Sequence, residues 1–180
     1  MRSFDFNNIQ ETTEGQREPL PAGGYVVRIV DMYDVPEKDY VKLVWDIAEG
    51  PRAGEFDSQW GRNNEWAHVI YMSYSDKALG FLKGRLKAIS ESNAGFDAMA
   101  AWNGGRLDMF RGRLFGVNLR EEEYVKDDGS IGSSLKVCQV IKADDVRQGK
   151  VMAWEKKTAD APVKPSTATG SYDNIVIPFD

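Results

Sequence analysis

The sequence predicts a mainly β domain in which five strands form a small barrel, with one main helix between the third and fourth strands and a disordered C-terminal tail. Runs in which apolar and polar residues alternate recur along the chain, and Gly, Pro and Asp turns separate them, as is typical of antiparallel strands. Residues 79–89 instead repeat Leu and Ile at the spacing of an amphipathic helix. These two patterns together indicate the fold class.

The composition fits one globular domain with additional terminal segments. The chain has 180 residues, of which 42% are apolar and 28% charged, and its net charge is −5. No run approaches the roughly 18 apolar residues that span a bilayer, and the first residues lack a secretory signal, so we expect a cytoplasmic protein. One cysteine and one histidine exclude an internal disulfide and a Cys/His zinc set, and we expect no cofactor. Cys138 is predicted to be a buried packing thiol, and His68 a structural residue at a strand end.

The first two strands are predicted on either side of a polar connection, residues 34–39. In the second strand the period-2 alternation predicts one buried and one wet face, and the buried face comprises Val41, Leu43, Trp45 and Ile47. In the first strand, one face comprises Tyr25, Val27 and Ile29. Gly50, Pro51 and Gly54 then predict a turn. Residues 56–66 are expected to contain a strand, a loop and a strand re-entry, and residues 69–74 a third full strand.

The main helix is predicted to begin after Ser75 and Asp76, which form a plausible N-cap. Its apolar positions are Leu79, Leu82, Leu86 and Ile89. We expect Gly80 and Gly84 within it to mark close packing against the sheet. The remaining elements are a short helix over residues 96–102 and antiparallel strands over residues 114–119 and 135–141. This order of elements is that of the OB-fold, a five-stranded Greek-key barrel.

Four segments divide the chain. Residues 1–22 form an extended lead-in that ends in two prolines, and residues 23–154 form the barrel domain. Residues 155–171 are rich in Pro, Ala, Thr and Ser and predict a flexible linker. Residues 172–180 form an apolar C-terminal tip, which we expect either to bind a partner or to remain disordered or docked on the domain itself.

Three short stretches carry a family resemblance. Residues 21–25 (PAGGY), 40–47 (YVKLVWDI) and 49–54 (EGPRAG) resemble the opening of a phage and prophage family long catalogued as a domain of unknown function. Its members occur with recombination genes and are taken to be single-stranded DNA-binding proteins. The resemblance therefore implies a phage-type protein that protects single strands during replication, recombination or repair, in the host cytoplasm if it is phage-encoded.

The C-terminal tip carries a second resemblance. Ile177, Pro178 and Phe179 after a flexible linker are similar to the acidic tip of bacterial single-stranded DNA-binding proteins, which recruits replication and repair partners. Here a single Asp precedes these residues closely and Asp180 follows them. The resemblance implies that replication or recombination proteins bind this tip.

A sequence-tolerant single-strand site needs aromatic rings for base stacking and cations for the phosphates. The strand 2 and 3 face of an OB barrel and its adjoining loops are the expected place. The candidates there are Arg28, Tyr40, Lys42, Arg52, Trp60, Arg62, Trp66, Tyr71, Tyr124 and Lys136. We expect Trp45 to be a core residue, whereas Trp60 and Trp66 fit either the core or a stacking platform.

Two other functional classes remain open. Carboxylates that could hold Mg²⁺ for a nuclease occur at Glu121, Glu122, Glu123, Asp127, Asp128, Asp144 and Asp145. They fall at turns and strand ends without a spaced acid and lysine set, and no phosphate-binding loop or nucleophile elbow is present, so we expect no enzyme activity. The other class is a protein-interaction or virion scaffold. Because edge strands of such barrels often pair between subunits, a homodimer is compatible with the sequence.

Overall fold

The computed structural model describes residues 18–159 and has the mainly β architecture that the sequence predicts. Five strands form one antiparallel sheet in this part of the chain, in the order β3-β2-β1-β4-β5. They are β1 (Gly23–Val35), β2 (Tyr40–Ile47), β3 (Val69–Ser73), β4 (Leu114–Val125) and β5 (Ile131–Ile141). The sheet is barrel-like, and its strand order, with the main helix between β3 and β4 in the chain, is compatible with an OB-fold.

Four α-helices and several 3-10 turns accompany the sheet within the described residues. The helices are α1 (Gln59–Asn63), α2 (Leu79–Ser92), α3 (Ala98–Asn103) and α4 (Ala143–Arg147). The main helix, α2, lies between β3 and β4 in the chain, as predicted, and contacts both edge strands, β3 and β5. None of the described helices has the length and apolar character required to cross a membrane.

The inner face of the sheet forms the core with α2 and α3. The predicted inward residues of β2 are confirmed: Val41, Leu43, Trp45 and Ile47 are all buried, and Trp45 is 1% exposed. Phe115, Val117 and Leu119 of β4 are buried on the same side. The period-2 alternation therefore places the core correctly, because directly paired residues of an antiparallel sheet share one face.

A β-bulge in β1 changes the face of every residue after it. The register shifts between Ile29 and Asp31, so that Met32 points inward and is buried. Tyr33, which simple alternation from Ile29 would place in the core, instead lies 47% exposed on the outer face. An extra residue in one strand has this effect because the side-chain period of a strand is two.

The expectation of strands within residues 56–66 is wrong. This stretch contains α1 and a 3-10 turn, Glu65–His68. Ser58 caps α1 by accepting a hydrogen bond from the Gly61 amide at 3.2 Å. The outer face of β2 also differs from the expected wet face, because Val44 and Asp46 are buried there.

Helix α2 departs from its sequence prediction at three positions. Leu82, Leu86 and Ile89 are buried as expected, but Leu79 is 47% exposed because the first turn, Asp76–Ala78, is 3-10 and α2 proper begins only at Leu79. The close packing expected at Gly80 and Gly84 is absent, since a Cβ at either position would meet no atom within 4 Å. Both glycines instead line an open hollow that is also lined by residues of β5.

The segment after β5 covers the outer face of β1 and β4. A Cβ at Gly116 would lie 2.7 Å from Val146 of α4, and one at Gly24 would lie 2.6 Å from Val151. The Asn118 amide donates to the Met152 carbonyl at 2.6 Å. Small residues on these two strands therefore permit the close approach of residues 143–152.

Cys138 is half-buried on β5 rather than fully buried, because β5 is an edge strand of the described sheet, and partial burial raises the pKa of its thiol. His68 is buried directly before β3 and has the structural position expected for it. Residues 1–17 and 160–180 lie outside the described part of the chain, and with them the start of the lead-in, most of the predicted linker and the tip that contains Ile177, Pro178 and Phe179.

Candidate nucleic-acid interface

Three side chains form a row across the outer face of β1, β2 and β3. Tyr33 pairs with Lys42, and Lys42 pairs with Tyr71. Tyr71 is 52% exposed, and its ring meets the Tyr40 ring edge-on with centroids 4.9 Å apart. We call the surface formed by Tyr33, Tyr40, Lys42 and Tyr71 the tyrosine face. It brings together three of the residues predicted from sequence and adds Tyr33.

Carboxylates neutralise the cations around the tyrosine face. Lys42 forms an ion pair with Glu65, and this hydrogen bond raises the pKa of the lysine. Arg111 binds Asp31 at 2.6 Å and lowers the pKa of that carboxyl. Burial, and then the neighbouring Asp31, raise the pKa of Tyr33, whose hydroxyl donates to Asp31 at 3.2 Å. The face therefore offers neutral aromatic rings more than free positive charge.

The connection between β2 and β3 presents the two candidate tryptophans. Gly61 allows this connection to fold back on itself, because any Cβ there would lie 2.0 Å from the Phe56 carbonyl oxygen. The Trp60 ring stacks on Phe56 with an interplanar angle of 26° and centroids 6.5 Å apart. Phe56 in turn stacks on His68 with centroids 4.5 Å apart.

His68 fastens this stack to the core. Its Nδ1 lies 2.6 Å from the Trp45 carbonyl oxygen and its Nε2 lies 3.2 Å from the Gly61 carbonyl oxygen. The side chain thus joins β2 to α1, and the position of the Trp60 ring follows from buried contacts. Trp60 is 44% exposed, so it belongs partly to the packing and partly to the surface.

Trp66 is the more exposed tryptophan, at 62%. Its indole Nε1 donates to the Asn64 side-chain oxygen at 3.1 Å, which fixes one edge of the ring. Trp66 lies between two hollows of the surface. The larger, which we call the cleft, has a volume of about 710 Å³, and Leu20, Trp45, Phe56, Trp60, Leu119 and Leu135 provide its apolar lining.

The smaller hollow brings together three residues predicted from distant parts of the sequence. It has a volume of about 320 Å³, and Trp66, Tyr124 and Lys136 line it together with Glu122 and Glu123. Tyr124 pairs with Gly132 across the β4–β5 hairpin, and its ring occupies the space that a side chain at Gly132 would take. One side of the Tyr124 ring is thus supported, and the side chain is 47% exposed.

The other predicted cations lie apart from these rings and hold carboxylates. Arg28 binds the buried Asp46 at 3.1 Å, Arg52 binds Glu55 at 2.7 Å and Arg62 lies 3.3 Å from Asp57. Lys136, by contrast, has no ion pair within 4.0 Å among residues 18–159. Its charge contributes, after those of Arg120 and Lys157, to lowering the pKa of Glu122. Most of the predicted phosphate ligands are therefore already engaged.

Two of the carboxylates considered for a metal site, Glu121 and Glu123, also form ion pairs. Lys156 bridges Glu121 and Glu123 at 2.9 and 2.8 Å. The Ser133 hydroxyl and then Lys156 lower the pKa of Glu121, and Lys156 lowers that of Glu123. Within residues 18–159, no three His, Cys, Asp or Glu side chains come close enough together to hold a metal ion.

No protein-family model matches this chain. A search of curated proteins also finds no match. On the surface of the described residues, the dominant feature is a set of exposed aromatic rings, each of which packs against the protein on one side. Such rings bind flat partners by stacking.

Sequence reasoning missed Tyr33 because the bulge in β1 reverses the face on which it lies. The sequence does contain a signal for the bulge. Val27 and Ile29 put apolar residues at odd positions, whereas Asp31 is polar and Met32, at an even position, is apolar.

Proposed function

We propose that the protein is a non-catalytic, sequence-tolerant single-stranded DNA-binding protein of phage type that protects single strands in replication, recombination or repair. The observation that carries the proposal is the row of Tyr33, Lys42 and Tyr71, together with the exposed Trp66 and Tyr124, which line the smaller hollow. Every base has an aromatic face, so stacking on such rings tolerates any sequence.

The number of exposed rings sets an upper limit on the affinity for a single strand. Stacking contributes about 1–3 kcal/mol per base, so Tyr33, Tyr71 and Trp66 together supply roughly 3–9 kcal/mol before the cost of ordering the strand. A micromolar Kd corresponds to about −8 kcal/mol. We therefore expect one molecule to bind no more tightly than the micromolar range, and binding to be stronger if several molecules cover one strand.

The ion pairs make a separate prediction about salt. Each phosphate neutralised on a single strand contributes about −0.7 to the slope of log K against log salt. If Lys136 alone, or with one more cation, meets phosphate, the slope is about −0.7 to −1.4. If Arg28, Lys42, Arg52, Arg62 and Lys136 all do so, it approaches about −3.5. The structure favours the shallow slope, because four of these five hold carboxylates.

The test is a titration of fluorescently labelled oligo-dT, followed by anisotropy, with the full chain and two variants. Tyr71→Ala and Trp66→Ala should each weaken binding about 5- to 150-fold, which is the loss of one stack. Phe81→Ala is the matched control, because Phe81 is a 74% exposed aromatic residue of α2 that lines neither the cleft nor the smaller hollow and is not part of the tyrosine face. It should bind as the unchanged protein does.

Competitors complete the design. Duplex DNA of equal length should compete poorly, oligo-rU reports the preference between DNA and RNA, and removal of Mg²⁺ should leave affinity unchanged. Failure of the unchanged protein to bind at low salt would reject the proposal. Equal losses for Phe81→Ala and Tyr71→Ala would reject the tyrosine face as the site.

The C-terminal tip is proposed to recruit replication or recombination proteins through Ile177, Pro178 and Phe179. Deletion of residues 172–180 should leave oligo-dT affinity within twofold and remove a binding partner from pull-downs. An unchanged set of partners would reject this role.

The second candidate is a protein-interaction or virion scaffold. It is favoured by the carboxylates around the cleft, Glu18, Glu55 and Glu121, and by the pairing of most predicted cations. It becomes the better reading if no oligonucleotide binds at low salt.

A further inference from the structure

The cleft is bordered by the beginning of the described chain. Residues 18–22 form one of its walls, and two contacts fix them in place. The Arg52 guanidinium donates to the Glu18 carbonyl oxygen at 2.8 Å, and the Tyr25 hydroxyl donates to the Pro21 carbonyl oxygen at 2.8 Å. The preceding residues therefore leave from a defined point on the rim of the cleft.

The opposite wall offers an unpaired strand edge. Ser133, Ser134 and Leu135 of β5 line the cleft, and β5 pairs with β4 but with no other strand of the described sheet. Such an edge presents backbone donors and acceptors to an extended segment. Between the two walls, the lining is apolar and aromatic.

The segment before Glu18 has a matching pattern. Phe4 and Phe6 are two residues apart, so both point to the same side of an extended chain, and Ile9 follows. The nine residues from Ile9 to Glu18 span up to about 30 Å when extended. This reach is ample for Phe4 and Phe6 to return to a cleft whose rim lies at Glu18.

We propose that residues 4–9 of this same chain dock in the cleft as an extended segment along the edge of β5, with Phe4 and Phe6 against its apolar lining. The docked segment covers the side of the tryptophan pair that faces the cleft and leaves the tyrosine face open. The proposal does not depend on DNA binding and is tested without nucleic acid.

Charge distinguishes this occupant from the apolar C-terminal tip. Glu18, Glu55 and Glu121 line the cleft, whereas the cations that pair with them, Arg52 and Lys156, are not among its lining residues. The tip carries Asp173 and Asp180 and no cation, whereas residues 1–9 carry Arg2 and Asp5, which cancel. Because like charges repel in a partly desolvated cleft, the N-terminal segment is the better fit.

The experiment follows the indole N–H signals of the full chain by ¹H–¹⁵N NMR. Phe4→Ser/Phe6→Ser should shift the signals of Trp60 and Trp66, which line the cleft. The Trp102 signal should stay in place, because Trp102 packs against Tyr74, whose hydroxyl binds Asp34 at the other end of β1.

Two further variants serve as comparisons. The matched control Asn7→Ser/Asn8→Ser should shift none of these signals. The tip variant Ile177→Ser/Phe179→Ser should also leave Trp60 and Trp66 unchanged. If Phe4→Ser/Phe6→Ser leaves both signals in place, the proposal is overturned, and a shift caused by the tip variant would then identify the tip as the occupant.

A second measurement covers the case in which the double variant perturbs folding. A nitroxide attached at Ser3→Cys, in a Cys138→Ser background, should broaden the Trp60 and Trp66 indole signals and spare that of Trp102. Equal broadening of all three, or of none, would show that residues 4–9 do not occupy the cleft.

Discussion

Substitution of Asp46 tests how the connection between β2 and β3, which contains Trp60 and Trp66, is attached to the sheet. Asp46 is 2% exposed on the outer face of β2. Its Oδ1 accepts hydrogen bonds from the amides of Ile47 at 2.8 Å and Phe56 at 3.0 Å, and its Oδ2 accepts one from Arg28 at 3.1 Å. The carboxylate thus joins β1, β2 and the segment that leads to Trp60.

Because Oδ1 binds the two amides and Oδ2 binds Arg28, two substitutions of Asp46 can separate the contributions of these contacts to stability. Asp46→Asn retains an oxygen for both amides, but its NH2 group replaces the oxygen that accepts from Arg28, so the ion pair is lost. The Arg28 side chain is 45% exposed, so this loss should be about 1 kcal/mol. Asp46→Ala also leaves the Phe56 amide without an acceptor, which adds about 2 kcal/mol, for a total of about 3 kcal/mol.

Urea unfolding followed by tryptophan fluorescence measures these differences. With an m-value of about 2 kcal/mol/M, the midpoint should fall by about 0.5 M for Asp46→Asn and about 1.5 M for Asp46→Ala, at unchanged m. Arg28→Met should resemble Asp46→Asn in stability and bind oligo-dT within twofold of the unchanged protein. Equal midpoints for all variants, or a large loss of DNA affinity with Arg28→Met, would refute this account of Arg28.

Three further changes have definite expected outcomes. Gly61→Ala should cost about 3 kcal/mol or more in urea unfolding, because the added Cβ overlaps the Phe56 carbonyl oxygen. Gly84→Ala should raise stability by about 1 kcal/mol, since the helix gains propensity and the methyl group meets open space. Arg111 lowers the pKa of Asp31, so the stability it contributes is present above the unfolded value of about 3.9 and is lost as pH falls through the folded value. Melting curves of Arg111→Gln and the unchanged protein should therefore differ at pH 7 and converge near pH 2.

Regular periodicity explains what the sequence could predict. The inward residues of β2 and β4, the buried positions Leu82, Leu86 and Ile89 of α2, and the order of strands and helix all follow from local patterns of apolar residues. Each pattern is repeated over several residues, so one exception does not change it. Leu79 is such an exception, and α2 forms despite it.

The conformation of the irregular segments could not be predicted from the sequence, because it depends on tertiary contacts. The connection between β2 and β3 takes its shape from the Ser58 cap, the approach of Gly61 to Phe56 and the two carbonyls bound by His68. No repeating pattern of apolar and polar residues in the sequence predicts these contacts. Sequence also identified cations without their partners, because the pairing of Arg28 with Asp46 depends on strand register.

The aromatic contacts link the core to the candidate interface. Trp45 meets Phe56 edge-on with centroids 5.3 Å apart, Phe56 stacks on His68 and on Trp60, and the Trp45 carbonyl oxygen holds His68. The orientation of an exposed ring therefore depends on a residue that is 1% exposed. A stacking platform binds best when its rings are already in place, because ordering them on binding costs free energy. The buried part of this stack thus supplies preorganisation at Trp60, whereas at Trp66 it comes from the single hydrogen bond to Asn64.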